Sequence, residues 1–294
     1  MIALREWLKV GTAVFKCGTR RPKAFSPKTS SYSSDTLGSM ASQALRDSYK
    51  KNFLVQDYME MYAHYPPEGA ALAGRRLRGI FHSDLVQGDT LLEVGSGPSV
   101  WCSLVASSRF KHIVLSDIVE ANRLELEKWL NKDEDAIDWT TRAEEIADLE
   151  GYSDKKKGAL EILERTRSAI RKVLPCDVLE PGVLPEEHRE TFDVVLSSGC
   201  LDSATADHES FRRALSNVGD LAKPGGLLVL VGAGGVKSYP VGNVDFPHAN
   251  LTKDALYQAV ADAGFQMKLY RFVAFGATLG SPDVFRFVLA ARKP

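Results

Sequence analysis

"LLEVGSGPSVW", from Leu91 to Trp101, is an apolar run that stops abruptly at Gly95-Ser96-Gly97 and resumes as "VWCSLVASS". Apolar residues halting at glycine and restarting with helical spacing read as a buried strand, a tight loop and a helix, the unit from which open α/β sheets are built. Six more segments carry strand patterning: "KHIVLSDI", "KVLPCDVL", "TFDVVLSS", "GGLLVLVG", "MKLYRFVAF" and "FRFVLAARK". The first of these ends at Asp117, and "GGLLVLVG" is launched by the turn Lys223 to Gly226. Helical stretches alternate with them, including "EANRLELEKWLNK", "SFRRALSNVGDLA" and "LTKDALYQAVADAGF", the last with Thr252 as its cap. Alternation of this kind predicts a doubly wound, mostly parallel sheet.

Upstream, Leu45 to Tyr65 reads as one aromatic-rich helical segment closed by a Pro-Pro pair, with Tyr49, Phe53, Tyr58, Tyr62 and Tyr65 crowding it. The charged stretch between Asp138 and Arg171 also has helical spacing, and its basic run "DKKKG" suggests a solvated excursion. The first 42 residues differ from the rest. Seven basic residues by Lys28 face a single acid, Glu6, and serines follow, the pattern of an organelle transit peptide or of a disordered extension. The expected organisation is therefore a leader over 1–42 and one domain over 43–294. Its expected location is the cytoplasm, with mitochondrial import the alternative.

Lysine and arginine total 37 against 38 acidic residues, so no field advertises a nucleic-acid or membrane partner. A small-molecule partner and a monomer are expected. Cys17, Cys102, Cys176 and Cys200 are scattered without a C-x-x-C pair, which points to reduced thiols and to no metal site.

The glycine loop leaves a dinucleotide, a phosphorylated ligand or the nucleoside of S-adenosylmethionine as candidate ligands. A phosphate-binding P-loop needs Gly-Lys-Ser or Gly-Lys-Thr, and "GSGPSVW" has no lysine; a dinucleotide fingerprint needs a third glycine where Val100 stands. Asp117, about twenty residues on, can accept hydrogen bonds from both hydroxyls of a ribose. That sugar occurs in nicotinamide cofactors and in S-adenosylmethionine alike. Other strand ends read Asp177-Val178 and Ser197-Ser198-Gly199-Cys200, where Asp177 suits an adenine amino group and Ser198 an amino-acid tail. One aspartate alone is as well explained by a helix cap; several at successive strand ends favour a ligand.

"LLEVGSGPSVWCSLVAS", "LSDIVEANRLELEKWL", "IRKVLPCDV", "LSSGCLDSA", "LAKPGGLLVLVGA" and "SYPVGNVDF" together resemble the small-molecule methyltransferases that include nicotinamide, phenylethanolamine and indolethylamine (thioether) N-methyltransferases. The resemblance runs in matching order from about Ser48 to the C-terminus. It implies a Rossmann-like, seven-strand class I methyltransferase fold with a reversed last strand and an N-terminal helical lid, using S-adenosylmethionine. It also implies site residues. Tyr58 would lie over the cofactor, Gly95, Ser96, Gly97 and Trp101 at the loop, Asp117 on the ribose, Asn122 at the nucleoside, Asp177 and Val178 beside adenine, and Ser198 near the methionine portion. Trp101 and Ala63 replace tyrosines of the relatives, and Tyr62 stands one residue early for the second.

Methyl transfer from a sulfonium needs an aligned, unprotonated lone pair, so positioning can supply roughly 7–11 kcal/mol of the barrier. An aliphatic amine arrives protonated, and a carboxylate can hold the cation and take a proton. Asp202 in "GCLDSA" is the candidate, matching an acidic substrate-side position of the family; helix capping is its structural alternative. Tyr49 and Tyr239 are the expected walls of the acceptor pocket. His248 aligns near a substrate-contacting serine, although a surface histidine is the simpler reading. Gly232 stands where nicotinamide-methylating relatives carry an aspartate, which disfavours nicotinamide and, with Gly234 and Gly235, suggests room or flexibility. An arylalkylamine, another small amine or a thioether is the expected acceptor. The rival readings are a NAD-dependent oxidoreductase and a silent cofactor-binding protein of the same fold. A base-methylating nucleic-acid enzyme would carry an Asp/Asn-Pro-Pro-aromatic motif that "SSGCLD" lacks.

Overall fold

The computed structural model describes residues 34–63, 67–274 and 283–294. Residues 1–33 of the expected leader and Cys17 lie outside the described residues. Nine strands are described: β1 (Thr90–Val94), β2 (His112–Asp117), β3 (Ile170–Pro175), β4 (Phe192–Ser198), β5 (Ala222–Gly234), β6 (Ser238–Val241), β7 (Val244–Pro247), β8 (Gln266–Ala274) and β9 (Phe285–Arg292). Seven form one sheet in the order β3-β2-β1-β4-β5-β9-β8. Pairing is parallel from β3 through to β5, whereas β9 is inserted between β5 and β8 and runs antiparallel to both. Strand order reverses between β1 and β4, and the crevice that opens at such a reversal is where sheets of this type bind ligands.

Alternation along β1 explains the two-layer core. Leu91 faces one hydrophobic layer while Leu92 and Val94 face the other. The first layer is covered by α3 (Pro67–Phe81), α4 (Trp101–Ala106), α5 (Glu120–Asn131), α6 (Thr140–Glu150) and α7 (Lys155–Ala169). The second is covered by α8 (His208–Asp220) and α9 (Lys253–Asp262). Thr252 caps α9 as expected, its hydroxyl accepting from Ala255 N at 3.1 Å.

Residues 138–171 are not a solvated excursion. Ala143, Ile146 and Ala147 of α6 and Ala159, Ile162, Leu163 and Thr166 of α7 are buried, at the three- and four-residue spacing of a helical stripe. The charges occupy the opposite faces, where Lys155 pairs with Asp148 and Lys157 with Glu161.

The aromatic segment is two helices, α1 (Ser34–Asn52) and α2 (Val55–Ala63), broken at Phe53 and Leu54. Phe53 is buried and packs its ring 5.2 Å from Tyr58 and 5.9 Å from Phe246. The break thus lets Tyr49 of α1 and Tyr58 of α2 join one cluster with the β6–β7 hairpin. That hairpin forms a lid wall: Tyr49 stacks on Phe246 at 4.5 Å, and the Tyr49 and Tyr239 hydroxyls are 2.8 Å apart.

Candidate active site

The crevice lies at the carboxyl ends of β1 to β4 under the aromatic lid and is open to solvent on one side. Its floor is the Gly95-Ser96-Gly97 loop. Gly95 N and Ser96 N donate to Ser116 O at 2.8 and 3.0 Å, which ties the loop to β2. Gly95 and Gly97 have φ of 71° and 61°, a left-handed backbone that glycine adopts without strain. A Cβ on Gly95 would lie 2.1 Å from Cys200 Sγ, whereas one on Gly97 would meet nothing within 4 Å. The loop is therefore closed by Cys200 on one side and open to the crevice on the other.

Asp117 ends β2 and is buried. Its Oδ2 accepts from Gly97 N at 2.8 Å, and its Oδ1 accepts from Val119 N at 2.8 Å and Asn122 Nδ2 at 3.0 Å. Burial raises its pKa, and those three N–H groups pull in the opposite direction. Asn122 Oδ1 is buried beside it without a hydrogen-bond partner. An acceptor of this kind calls for a donor from a ligand, and a ribose has two hydroxyls to offer. With the space in front of Gly97, the residues present fit a nucleoside.

Asp177 and Val178, just past β3, line the next part of the wall with Leu179. Asp177 Oδ1 accepts from Leu179 N, and its Oδ2 accepts from Arg46 at 3.0 Å. Arg46 also binds Glu180, so α1 is clasped onto the rim of the crevice. Arg46 escaped the sequence reading, although it stands one helical turn before Tyr49 and so shares its face. Ser198 lines the crevice at the end of β4, and Tyr58, Tyr49 and Tyr239 line its lid side. Burial pushes the Tyr58 hydroxyl up to about 12 and those of Tyr49 and Tyr239 higher than usual, so all three stay protonated near neutrality.

Trp101 is not brought to the crevice. Its side chain is buried in the α3–α7 layer, where a Cβ added to Gly74 of α3 would sit 3.6 Å from Trp101 Cζ2, and its Nε1 is unpartnered. Glu93 was not singled out, although it is the one charged residue of β1. It is buried facing α4, with Ser103 Oγ donating to its Oε2 at 3.4 Å, and burial pushes its carboxyl up to about 8.

Asp202 lies in the turn after β4 and does not cap α8; Asp207 does, through a capping box with Ser210. Asp202 is 3% exposed, and its Oδ2 accepts from Ala233 N at 2.8 Å and stands 3.2 Å from His248 Nε2. His248 is 7% exposed, which corrects the reading of a surface histidine. Gly232 is likewise not a source of room: a Cβ there would lie 2.7 Å from Asp202 Oδ2 and 2.7 Å from Phe287 Cζ. Both neighbours are buried, so Gly232→Ala should displace Asp202 and cost about 1–3 kcal/mol of stability. A denaturation midpoint equal to that of the parent protein would contradict this packing.

The NNMT/PNMT/TEMT family model matches residues 41–293. Human nicotinamide N-methyltransferase is 36% identical over 256 residues, covering 84% of this chain and 96% of its own. Indolethylamine N-methyltransferase of Oryctolagus cuniculus is 36% identical over 261 residues with the same coverage, and human phenylethanolamine N-methyltransferase 31% over 218, covering 71% and 75%. Among solved structures, magnesium protoporphyrin IX methyltransferase of Synechocystis PCC 6803 with bound S-adenosylhomocysteine superposes with a TM-score of 0.51 at 12% identity, covering 86% of this chain and 99% of that one. At that identity the likeness concerns the fold. Among the described residues no cluster suits a metal ion, and no helix is long and apolar enough to cross a membrane.

Proposed function

The chain belongs to the NNMT/PNMT/TEMT family, and from that premise we propose that it transfers the methyl group of S-adenosylmethionine to the nitrogen of a small amine, an arylalkylamine being favoured, with a thioether sulfur as the related acceptor. The observation that carries this reading is the crevice itself. Asp117 and the orphaned Asn122 Oδ1 stand at one strand end and Asp177 at the next, under a lid of protonated tyrosines. The sulfonium donor supplies an electrophilic methyl group. Asp117 and Asn122 accept from the ribose, Asp177 and Val178 flank the adenine, and Ser198 with the Gly95–Gly97 backbone meets the methionine portion. The ring faces of Tyr49 and Tyr239 give a cationic amine about 0.5–2 kcal/mol of attraction. Asp202, buried behind this lining, is the candidate to act on the acceptor nitrogen.

Nicotinamide and indolethylamine relatives are equally similar, so acceptor preference rests on the site. Gly232 supplies no carboxylate for an amide, which favours an amine. Incubation with isotopically labelled S-adenosylmethionine and a panel of acceptors tests this: arylalkylamines should be methylated in preference to nicotinamide, and a strong preference for nicotinamide would overturn the assignment. Asp202→Asn should lower turnover on amines by about 10²-fold or more while leaving cofactor affinity in place. Equal losses in both would make Asp202 a structural residue. A monomeric state belongs to the same reading. Cytoplasmic residence belongs to the same reading, with mitochondrial import the competitor; imaging the full chain with and without residues 1–42 separates them.

A further inference from the structure

Arg46 joins two parts of the crevice wall that are 131 positions apart in sequence. Its Nη1 donates to Asp177 Oδ2 at 3.0 Å and to Glu180 Oε1 at 2.5 Å. Asp177 is held from the other side as well, since Leu179 N donates to its Oδ1 at 3.0 Å. One protein donor on each oxygen fixes the plane of the carboxylate and leaves each oxygen a further lone pair for a ligand. Arg46 and Asp177 both line the crevice, and their side chains are only 15% and 22% exposed, so the pair belongs to the wall and is screened less than a surface bridge. α1 is otherwise tied down by Tyr49, whose hydroxyl meets Ser203 O at 3.2 Å and the Tyr239 hydroxyl at 2.8 Å, and by Arg213, which donates to Ser42 Oγ at 3.4 Å. Of these contacts, those of Arg46 alone join opposite charges.

We propose that Arg46 is a positioning residue for the methyl donor: by pinning Asp177 it sets the carboxylate that reads the base, and through the same bond it holds α1 over the crevice. The proposal rests on the methyl-transfer reading, in which Asp177 flanks the adenine and accepts from its amino group. The two effects are linked. Opening α1 takes the donor away from Asp177 Oδ2 and lets the carboxylate turn. A nucleoside that uses the pinned carboxylate therefore favours the clasped state, and by reciprocity the clasp favours the nucleoside. A 6-oxo purine gains less from this arrangement, because its carbonyl oxygen takes the place of the amino group and sets one acceptor against another. Discrimination between the two bases thus falls to Asp177 as Arg46 holds it. Glu180, 59% exposed at the rim, steadies the guanidinium from outside and takes no part in reading the base.

Arg46→Met keeps an apolar stem on the helix and removes the guanidinium, whereas Arg46→Lys keeps the charge. Hydrogen exchange on the full-length, cofactor-free proteins reads the clasp. Calorimetry and stopped-flow dissociation with S-adenosylhomocysteine and with S-inosylhomocysteine read the base. In Arg46→Met the amides of α1 should exchange faster while those of β1 to β4 keep the protection of the parent. S-adenosylhomocysteine should dissociate about tenfold faster or more, and the preference for it over the inosyl analogue should fall severalfold. Arg46→Lys should recover part of both effects, and Glu180→Gln should speed exchange in α1 with the base preference retained. Unchanged exchange and dissociation in Arg46→Met would overturn the proposal. So would faster dissociation with the base preference of the parent intact, since Arg46 would then fasten α1 and position nothing. If Arg46→Met loses protection throughout the sheet, Arg46→Lys and Glu180→Gln decide between the same outcomes. A parent protein that binds neither nucleoside would instead overturn the methyl-transfer reading, and the exchange comparison would still decide whether Arg46 holds α1.

Discussion

Asp117→Ala is expected to weaken S-adenosylmethionine binding by about 3 kcal/mol or more, over a hundredfold in Kd, because each hydrogen bond to a charged acceptor contributes about 1.5–3 kcal/mol. The loss has two sources. The carboxylate no longer receives the sugar hydroxyls, and Gly97 N, Val119 N and Asn122 Nδ2 lose their acceptor. The second effect loosens the loop as well as the contact. Calorimetry on the variant, with its melting temperature measured in parallel, separates the two; Asp117→Asn, which retains one acceptor oxygen, should fall between. Undiminished affinity in Asp117→Ala would remove Asp117 from the site.

The second large effect concerns pH. Burial holds the Glu93 carboxyl at about 8 in the folded chain against 4.5 for an ordinary glutamate. Between those values the unfolded chain has released the proton that the folded chain retains, so raising the pH favours unfolding. Stability from this group is therefore complete below pH 4.5, is lost progressively as pH rises towards 8, and changes little beyond. The displacement corresponds to at most ~5 kcal/mol. Glu93→Gln removes the ionisable group and should flatten that part of the profile, leaving the variant more stable than the parent at pH 8–9. Urea denaturation midpoints across pH 5–9 test this, and parallel profiles for the two proteins would contradict it.

The sheet was legible because each of its strands is an apolar run punctuated by glycine, proline or a polar turn, and that pattern survives whatever the tertiary context. The crevice was legible to the extent that its residues sit at strand ends: Gly95, Asp117, Asp177 and Ser198 follow once the strands are placed. Three features resisted for physical reasons. In α6 and α7 the charges outnumber the buried residues, and the stripe of Ala143, Ile146, Ala147, Ala159 and Ile162 is built largely from small side chains that carry little hydrophobic signal. The β6–β7 hairpin turns at Gly242-Asn243, a good two-residue turn, but its four-residue strands each contain a proline, which argues against strand. Asp202 and His248 meet only because the chain returns across β5 and the hairpin, and no local pattern encodes that meeting. Trp101 illustrates the reverse: resemblance put it at the cofactor, yet its bulk is accommodated under α3.

A calorimetric titration of the full-length protein with S-adenosylmethionine, and in parallel with NAD, goes to the centre of this account. One-to-one binding of S-adenosylmethionine, with no heat from NAD, is the result it predicts. Binding of NAD in its place, or no binding of S-adenosylmethionine to the folded protein, would contradict it.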